Sequence, residues 1–282
     1  MEEIRFRERR PEDLQALREI SRCCFGDPPE QADPYIQDLE GLGIRCLVAE
    51  REGRAVSAVY LLPGVRFIHP SGREVSAAYL YGLGTLPGER GRGYGIALLR
   101  KICGEALKTA DWACGAVFEE GLKGIYRRAA KTEPLGRCRE AELGRAELPE
   151  GPGEGALREL SPQAYAAARE EFLRGRAHAV YAPGFWCLAA GYGARFLQGP
   201  GILAMAELRE QKCLVFELLT EGTPFRPAAA AVAAALPAER YLIRTPLFQE
   251  GEGEIREYLL RLGTRTPEEA PEETFWFPMM LE

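Results

Sequence analysis

Arg90-Gly91-Arg92-Gly93-Tyr94-Gly95 is the stretch of this 282-residue chain whose residue types and spacing most clearly offer chemistry. An apolar and aromatic run, Ala77 to Leu83, leads through a turn at Pro87-Gly88 into it, and an amphipathic helical pattern begins at Tyr94. The first N–H groups of a helix lack intrahelical partners and lie at the positive end of the helix dipole, so they can cradle phosphate oxygens. An anion there gains about 0.3–1 kcal/mol when exposed and nears ~2 kcal/mol when partly buried. Glycines let the backbone approach a ligand without a Cβ, and the two arginines can add charge-assisted hydrogen bonds. A glycine-rich turn of this kind can also bind nothing. It is not a dinucleotide fingerprint, because Gly91-x-Gly93-x-Gly95 differs from Gly-x-Gly-x-x-Gly and no βαβ unit surrounds it.

The hexapeptide fits [Gln/Arg]-x-x-Gly-x-[Gly/Ala] at every fixed position, and Thr85-Leu86-Pro87 precedes it. In both respects the chain resembles the GNAT superfamily of N-acetyltransferases, whose acetyl-CoA pyrophosphate loop has that form and usually follows Val-x-Pro. The resemblance implies that Arg90, Gly91, Arg92, Gly93, Tyr94 and Gly95 hold the pyrophosphate. It places the pantetheine arm along the backbone at Leu83, Gly84 and Thr85. Arg100 or Lys101 could meet the coenzyme's 3′-phosphate, a solvated helix face being the plainer reading of both.

The same resemblance puts Tyr126 at the family's general-acid position. When an amine attacks a thioester the departing thiolate must be protonated, and a phenol with a pKa near 10 can donate at neutral pH. A buried core tyrosine is the alternative. Two departures stand beside it: Ala129-Ala130-Lys131 replaces the family's Gly-Phe pair, and Phe118-Glu119 stands where many members have Asn. No general base is identified. Glu119 and Glu120 qualify by proximity alone, and both also read as charges complementing a helix N-terminus. His69, beside Pro70, reads as a solvated turn residue.

Strands and helices must position these groups. Glu3–Arg9 alternates as a strand, Glu12–Cys24 has a helical stripe, and Ala32–Leu39 a shorter one that by resemblance would help wall the acceptor site. Arg45–Glu50, Ala55–Phe67 and Arg73–Leu86 read as three antiparallel strands joined by hairpins. A helix over Tyr94–Thr109, a strand over Trp112–Phe118 and a helix over Glu120–Ala130 follow. LPEGPGEGA, Leu148–Ala156, reads as a linker, dividing the chain into residues 1–150 and 151–282.

Beyond it come a short strand at Leu157–Leu160, a helix opened by Ser161-Pro162 and running through Arg174, and a hairpin of Gly201–Leu208 with Lys212–Leu219. A helix over Pro227–Leu236 and strands at Tyr241–Arg244 and Phe275–Leu281 complete the reading. The order parallels the first half, but Glu217–Pro227 reads ELLTEGTPFRP and carries no phosphate loop. The expected fold is therefore α/β (α+β): two tandem GNAT-like domains, each a mixed, mostly antiparallel twisted sheet flanked by helices, the second degenerate. That plan is similar to the first two domains of the bacterial enhanced intracellular survival acetyltransferases, which carry a sterol-carrier-like domain after them; this sequence ends at Glu282.

Composition narrows the partners. With 36 Lys and Arg against 42 Asp and Glu the net charge is -6, and no long basic block occurs, so nucleic acid is not expected as a partner. The longest apolar run, Ala228–Leu236, is too short to span a membrane, and Met1–Pro11 lacks a signal-peptide core. The eight cysteines are scattered without metal spacing and read as reduced residues of a cytoplasmic protein, with no metal expected. The expected activity is transfer of an acetyl group from acetyl-CoA to a primary amine of a small molecule or peptide. The alternative is a non-catalytic acyl-CoA-binding or regulatory protein of the same fold, and a homo-oligomer is compatible with either.

Overall fold

The computed structural model describes residues 4–26, 41, 43–150, 156–262 and 274–278. The helix expected at Ala32–Leu39 and most of the linker lie outside them. In the first half β1 (Arg5–Glu8), β2 (Arg45–Arg51), β3 (Arg54–Ile68) and β4 (Glu74–Thr85) follow the alternating sequence pattern and pair in order, antiparallel. Glu52 and Gly53 turn the β2–β3 hairpin with φ of 51° and 79°, the left-handed pair that matches strand twist. Helix α1 (Leu14–Phe25) precedes β2, and α2 (Tyr94–Ala106) crosses from β4 to β5 (Trp112–Ala116), which lies parallel to β4. Helix α3 (Glu120–Ala129) then leads to β6 (Thr132–Gly144).

The second half repeats the plan with β7 (Arg158–Glu159), α4 (Pro162–Phe172), β8 (His178–Val180), α5 (Pro183–Gly191), β9 (Arg195–Gly199), β10 (Ile202–Arg209), β11 (Lys212–Thr220), α6 (Phe225–Ala235), β12 (Arg240–Pro246) and β13 (Glu254–Leu262). Ser161 caps α4 as its sequence signal requires, its hydroxyl accepting from the Ala164 N–H at 3.2 Å with Pro162 in the first turn.

The described strands form one mixed sheet in the order β1-β2-β3-β4-β5-β13-β6-β12-β11-β10-β9-β7, with β8 added at the end of β3. Only β4–β5 and β11–β12 are parallel. The order reads alike from either end, and at its centre the halves exchange strands. β13, last in sequence, pairs with β5 of the first half, while β6 of the first half pairs with β12 of the second.

Both faces of the sheet are covered, so strand residues alternate between two apolar cores. In β2, Cys46 and Val48 enter a core shared by both halves, and Leu47 and Ala49 enter the one under α2. Alanine-rich α6 covers the corresponding face of the second half.

Five elements were not expected from sequence: β6, β8, α5, β9 and β13. Phe275–Leu281 was expected as a strand. Its described part, through Pro278, is instead an extended stub held by scattered bonds, Trp276 bridging to His178 and the Tyr258 hydroxyl donating to the Phe277 carbonyl at 2.6 Å.

Candidate functional site

β4 and β5 pair only from Ala77 to Tyr79 on β4 and then separate, opening a wedge between them. Where β4 leaves β5 it also bulges. Gly82 and Leu83 together face Val59 of β3, between the pairs Tyr60–Tyr81 and Ala58–Gly84. Gly82 has φ of +60°, and a Cβ there would stand 2.7 Å from the Tyr60 ring, so only glycine fits. A bulge takes backbone groups out of the ladder and re-aims them. Beyond it the Ser57 hydroxyl donates to the Gly84 carbonyl at 2.7 Å and meets the Thr85 hydroxyl at 2.8 Å. α1 lies so close over Gly84 that a Cβ would come within 2.6 Å of Ile20.

The wedge opens into a cavity of about 900 Å³ that reaches the N-terminus of α2. Leu83, Gly84, Thr85, Arg90, Gly91, Gly93, Tyr94 and Gly95 all line it, as the sequence reading requires of a coenzyme site. Gly91 and Gly93 hold φ of +78° and +84°, and Gly93 is the α2 N-cap with no side chain capping the first turn. No atom lies within 4 Å of either Cβ position, so the backbone there is open to a ligand. These features fit a pyrophosphate on backbone amides with a pantetheine arm along the bulged strand.

The arginines divide. Arg90 lines the cavity and donates from Nε to the Thr85 carbonyl at 3.1 Å, bracing the loop against β4. Arg92, half-exposed, pairs with Glu89 at 3.3 Å and is not among the lining residues. Glu89 is also held by Arg51 at 2.9 and 3.0 Å. Arg100 is neither a phosphate ligand nor a solvated residue: it donates to the carbonyls of Arg128 at 2.7 Å and Ala129 at 3.2 Å, tying off the last turn of α3. Lys101 is exposed.

Tyr126 lines the cavity from α3, its ring over β5 where a Cβ on Gly115 would stand 3.1 Å away. Lys123, buried one turn earlier, donates to Glu120 at 2.5 Å and to the Glu257 carbonyl of β13 at 2.6 Å. Arg100 at one end and Lys123 at the other thus fix the helix that carries the phenol. The Tyr126 hydroxyl has no hydrogen bond to any described residue, and burial raises its pKa above the ordinary tyrosine value, keeping it protonated. Glu119 lines the cavity, whereas Glu120 is exposed and turned to Lys123. His69 sits in the β3–β4 turn with Ser71 at 2.8 Å, as expected.

The second half supplies the rest of the wall: Tyr192, after α5, Glu207 and Arg209 on β10, and Leu214 and Phe216 on β11. Sequence reasoning missed all five, and Cys24, Phe25, Tyr79 and Tyr81 besides. The LAMAELRE run that holds Glu207 reads as an ordinary strand, and only the tertiary fold brings it here.

The equivalent wedge of the second half is filled. β11 and β12 pair only from Lys212 to Val215 on β11. Beyond that the Gln249 carboxamide takes the vacant ladder position, Nε2 donating to the Leu218 carbonyl at 3.0 Å and Oε1 accepting from the Thr220 N–H at 3.1 Å. Among the described residues no cluster of His, Cys, Asp or Glu could hold a metal ion, and no helix is long and apolar enough to cross a membrane.

Residues 5–129 match the family model described as an acetyltransferase (GNAT) domain. No curated protein matches the chain. Among solved structures, a GCN5-related N-acetyltransferase from Kribbella flavida is 18% identical with a TM-score of 0.65, over 93% of this chain and 71% of that one. Eis1 from Mycobacterium abscessus is 19% identical with a TM-score of 0.61, over 93% and 73%. A tandem GNAT protein from the clavulanic acid biosynthesis pathway is 13% identical with a TM-score of 0.62, over 95% and 100%. At such identities the likeness is one of fold.

Proposed function

We propose that this chain, whose residues 5–129 form a GNAT acetyltransferase domain, moves an acetyl group from acetyl-CoA directly to a primary amine of a small molecule or peptide. The family supports acyl transfer; the donor, the amine acceptor and the residue roles are our reading. The observation that carries it is the continuity of one cavity, from the open amides of α2 along the bulged edge of β4 to a phenol with no protein partner. Residues 1–150 bind the coenzyme, and residues 151–282 do not, because Gln249 occupies the matching strand edge.

The amine nitrogen attacks the thioester carbonyl, the C–S bond breaks, and Tyr126 gives its proton to the departing sulfur. The proton released by the new amide nitrogen leaves through water or Glu119, the carboxylate on the cavity wall. Holding both reactants in one cavity supplies much of the acceleration and needs no enzyme nucleophile. The test is incubation with acetyl-CoA and a panel of primary amines, with chromatographic detection of free coenzyme and mass measurement of the acetylated product. Tight coenzyme binding without transfer to any amine would favour a non-catalytic acyl-CoA-binding protein instead.

A further inference from the structure

The second-half wall of the cavity carries a charged pair whose arrangement serves no evident purpose in holding the fold. Glu207 is only 3% exposed, and its two carboxylate oxygens accept from Nε and Nη2 of Arg209 at 2.8 and 2.9 Å. The two residues are neighbours on one face of the same strand, so the pair joins no two elements. Burying a carboxylate is costly, and a pair that links no elements returns little of that cost as stability. The partners are also unequal. Arg209 is half in solvent, where its charge is screened, while Glu207 stands within the low-dielectric cavity wall, so the field inside is negative on that side. Glu207 faces Leu214 across the β10–β11 ladder, and Tyr192 and Phe216 add aromatic surface to the same wall. A carboxylate set among aromatic rings suits an alkylammonium group.

We propose that Glu207, with Tyr192 and Phe216, forms an acceptor subsite for a second ammonium group, so that the substrate is a diamine or longer polycation acetylated at its other end. This rests on the acyl-transfer reading of the cavity and assigns acceptor choice to the second half of the chain. Glu207 acts as a specificity-determining residue and takes no part in the proton transfers.

The probes are 1,4-diaminobutane and n-butylamine, which share a reacting end and differ in the second charge. Calorimetry on the full chain saturated with coenzyme A gives their affinities, and kcat/KM for acetyl transfer gives their use as substrates. The wild type should prefer the diamine by about tenfold or more, a charge-assisted hydrogen bond's worth. Glu207→Gln should remove that preference through KM while kcat and the KM for acetyl-CoA stay, and Glu207→Asp should retain part of it. Equal affinity of the wild type for the two amines, or an undiminished preference in a folded Glu207→Gln, would overturn the proposal. Transfer to monoamines with no diamine preference would sink the subsite and leave the acetyltransferase reading standing. Diamine binding that depends on Glu207 with no transfer to any amine would do the reverse.

Discussion

Tyr126→Phe is the sharpest probe of the chemistry, because the structure separates the two things a buried tyrosine can do. Its hydroxyl has no hydrogen bond to any described residue, and its ring is positioned by Gly115, while Arg100 and Lys123 fix the helix beneath it. Removing the oxygen therefore breaks no bond of the fold, and stability should change by less than about 0.5 kcal/mol, under about 2 °C in Tm. A proton donor to the leaving thiolate contributes roughly 10²–10⁴-fold, or about 2.7–5.4 kcal/mol at the barrier. The loss should fall on kcat with KM for acetyl-CoA little changed, since the interaction strengthens only as sulfur gains charge. Because burial raises the phenol's pKa, its proton is kept to higher pH, and the wild type should lose no activity from Tyr126 ionisation below about pH 10. Coenzyme A should be measured by chromatography, since exposed Cys187 would react with a thiol dye. Turnover within threefold of wild type, or a Tm loss above about 4 °C, would refute the reasoning and return Tyr126 to the core.

Three further outcomes follow. Gly93→Asp puts a side chain at φ of +84° and a negative charge beside the first-turn amides of α2, and should abolish acetyl-CoA binding in calorimetry while the circular dichroism spectrum persists. Gln249→Ala leaves the Leu218 carbonyl and Thr220 N–H without their partners and should cost about 1–3 kcal/mol in urea unfolding, with coenzyme stoichiometry remaining at one per chain. Truncation after residue 253 removes buried Tyr258, Leu259, Leu260 and Leu262, each contributing about 1.5–3 kcal/mol, and should abolish the cooperative thermal transition of the whole chain.

The coenzyme side of the cavity was legible because its signals are local: a six-residue loop, the strand before it and the helix after it. Tyr126 was legible only through family resemblance, since its setting over Gly115 is a tertiary contact. β6 and β13 escaped for a physical reason. β6 carries Pro134, Gly136 and several charges, and β13 groups Tyr258, Leu259 and Leu260 in a run instead of alternating them. Each becomes a strand by pairing with the other across more than a hundred residues. The Glu207 wall was hidden likewise, because nothing in a β10 read alone says that it faces a cavity built on the other half.

The strand exchange also sets a schedule for synthesis. A ribosome releases the N-terminus first, so β5, with its buried Ala113 and Cys114, emerges long before β13 exists to cover its edge. Until then the phosphate loop and Tyr126 belong to an unfinished sheet with an open apolar edge, the kind that seeks other chains. β6 meanwhile waits for β12, so neither half can complete its sheet before the other is made. The nascent protein is committed to a late, nearly simultaneous closure of both halves, and the coenzyme cavity gains its full wall only in that last step.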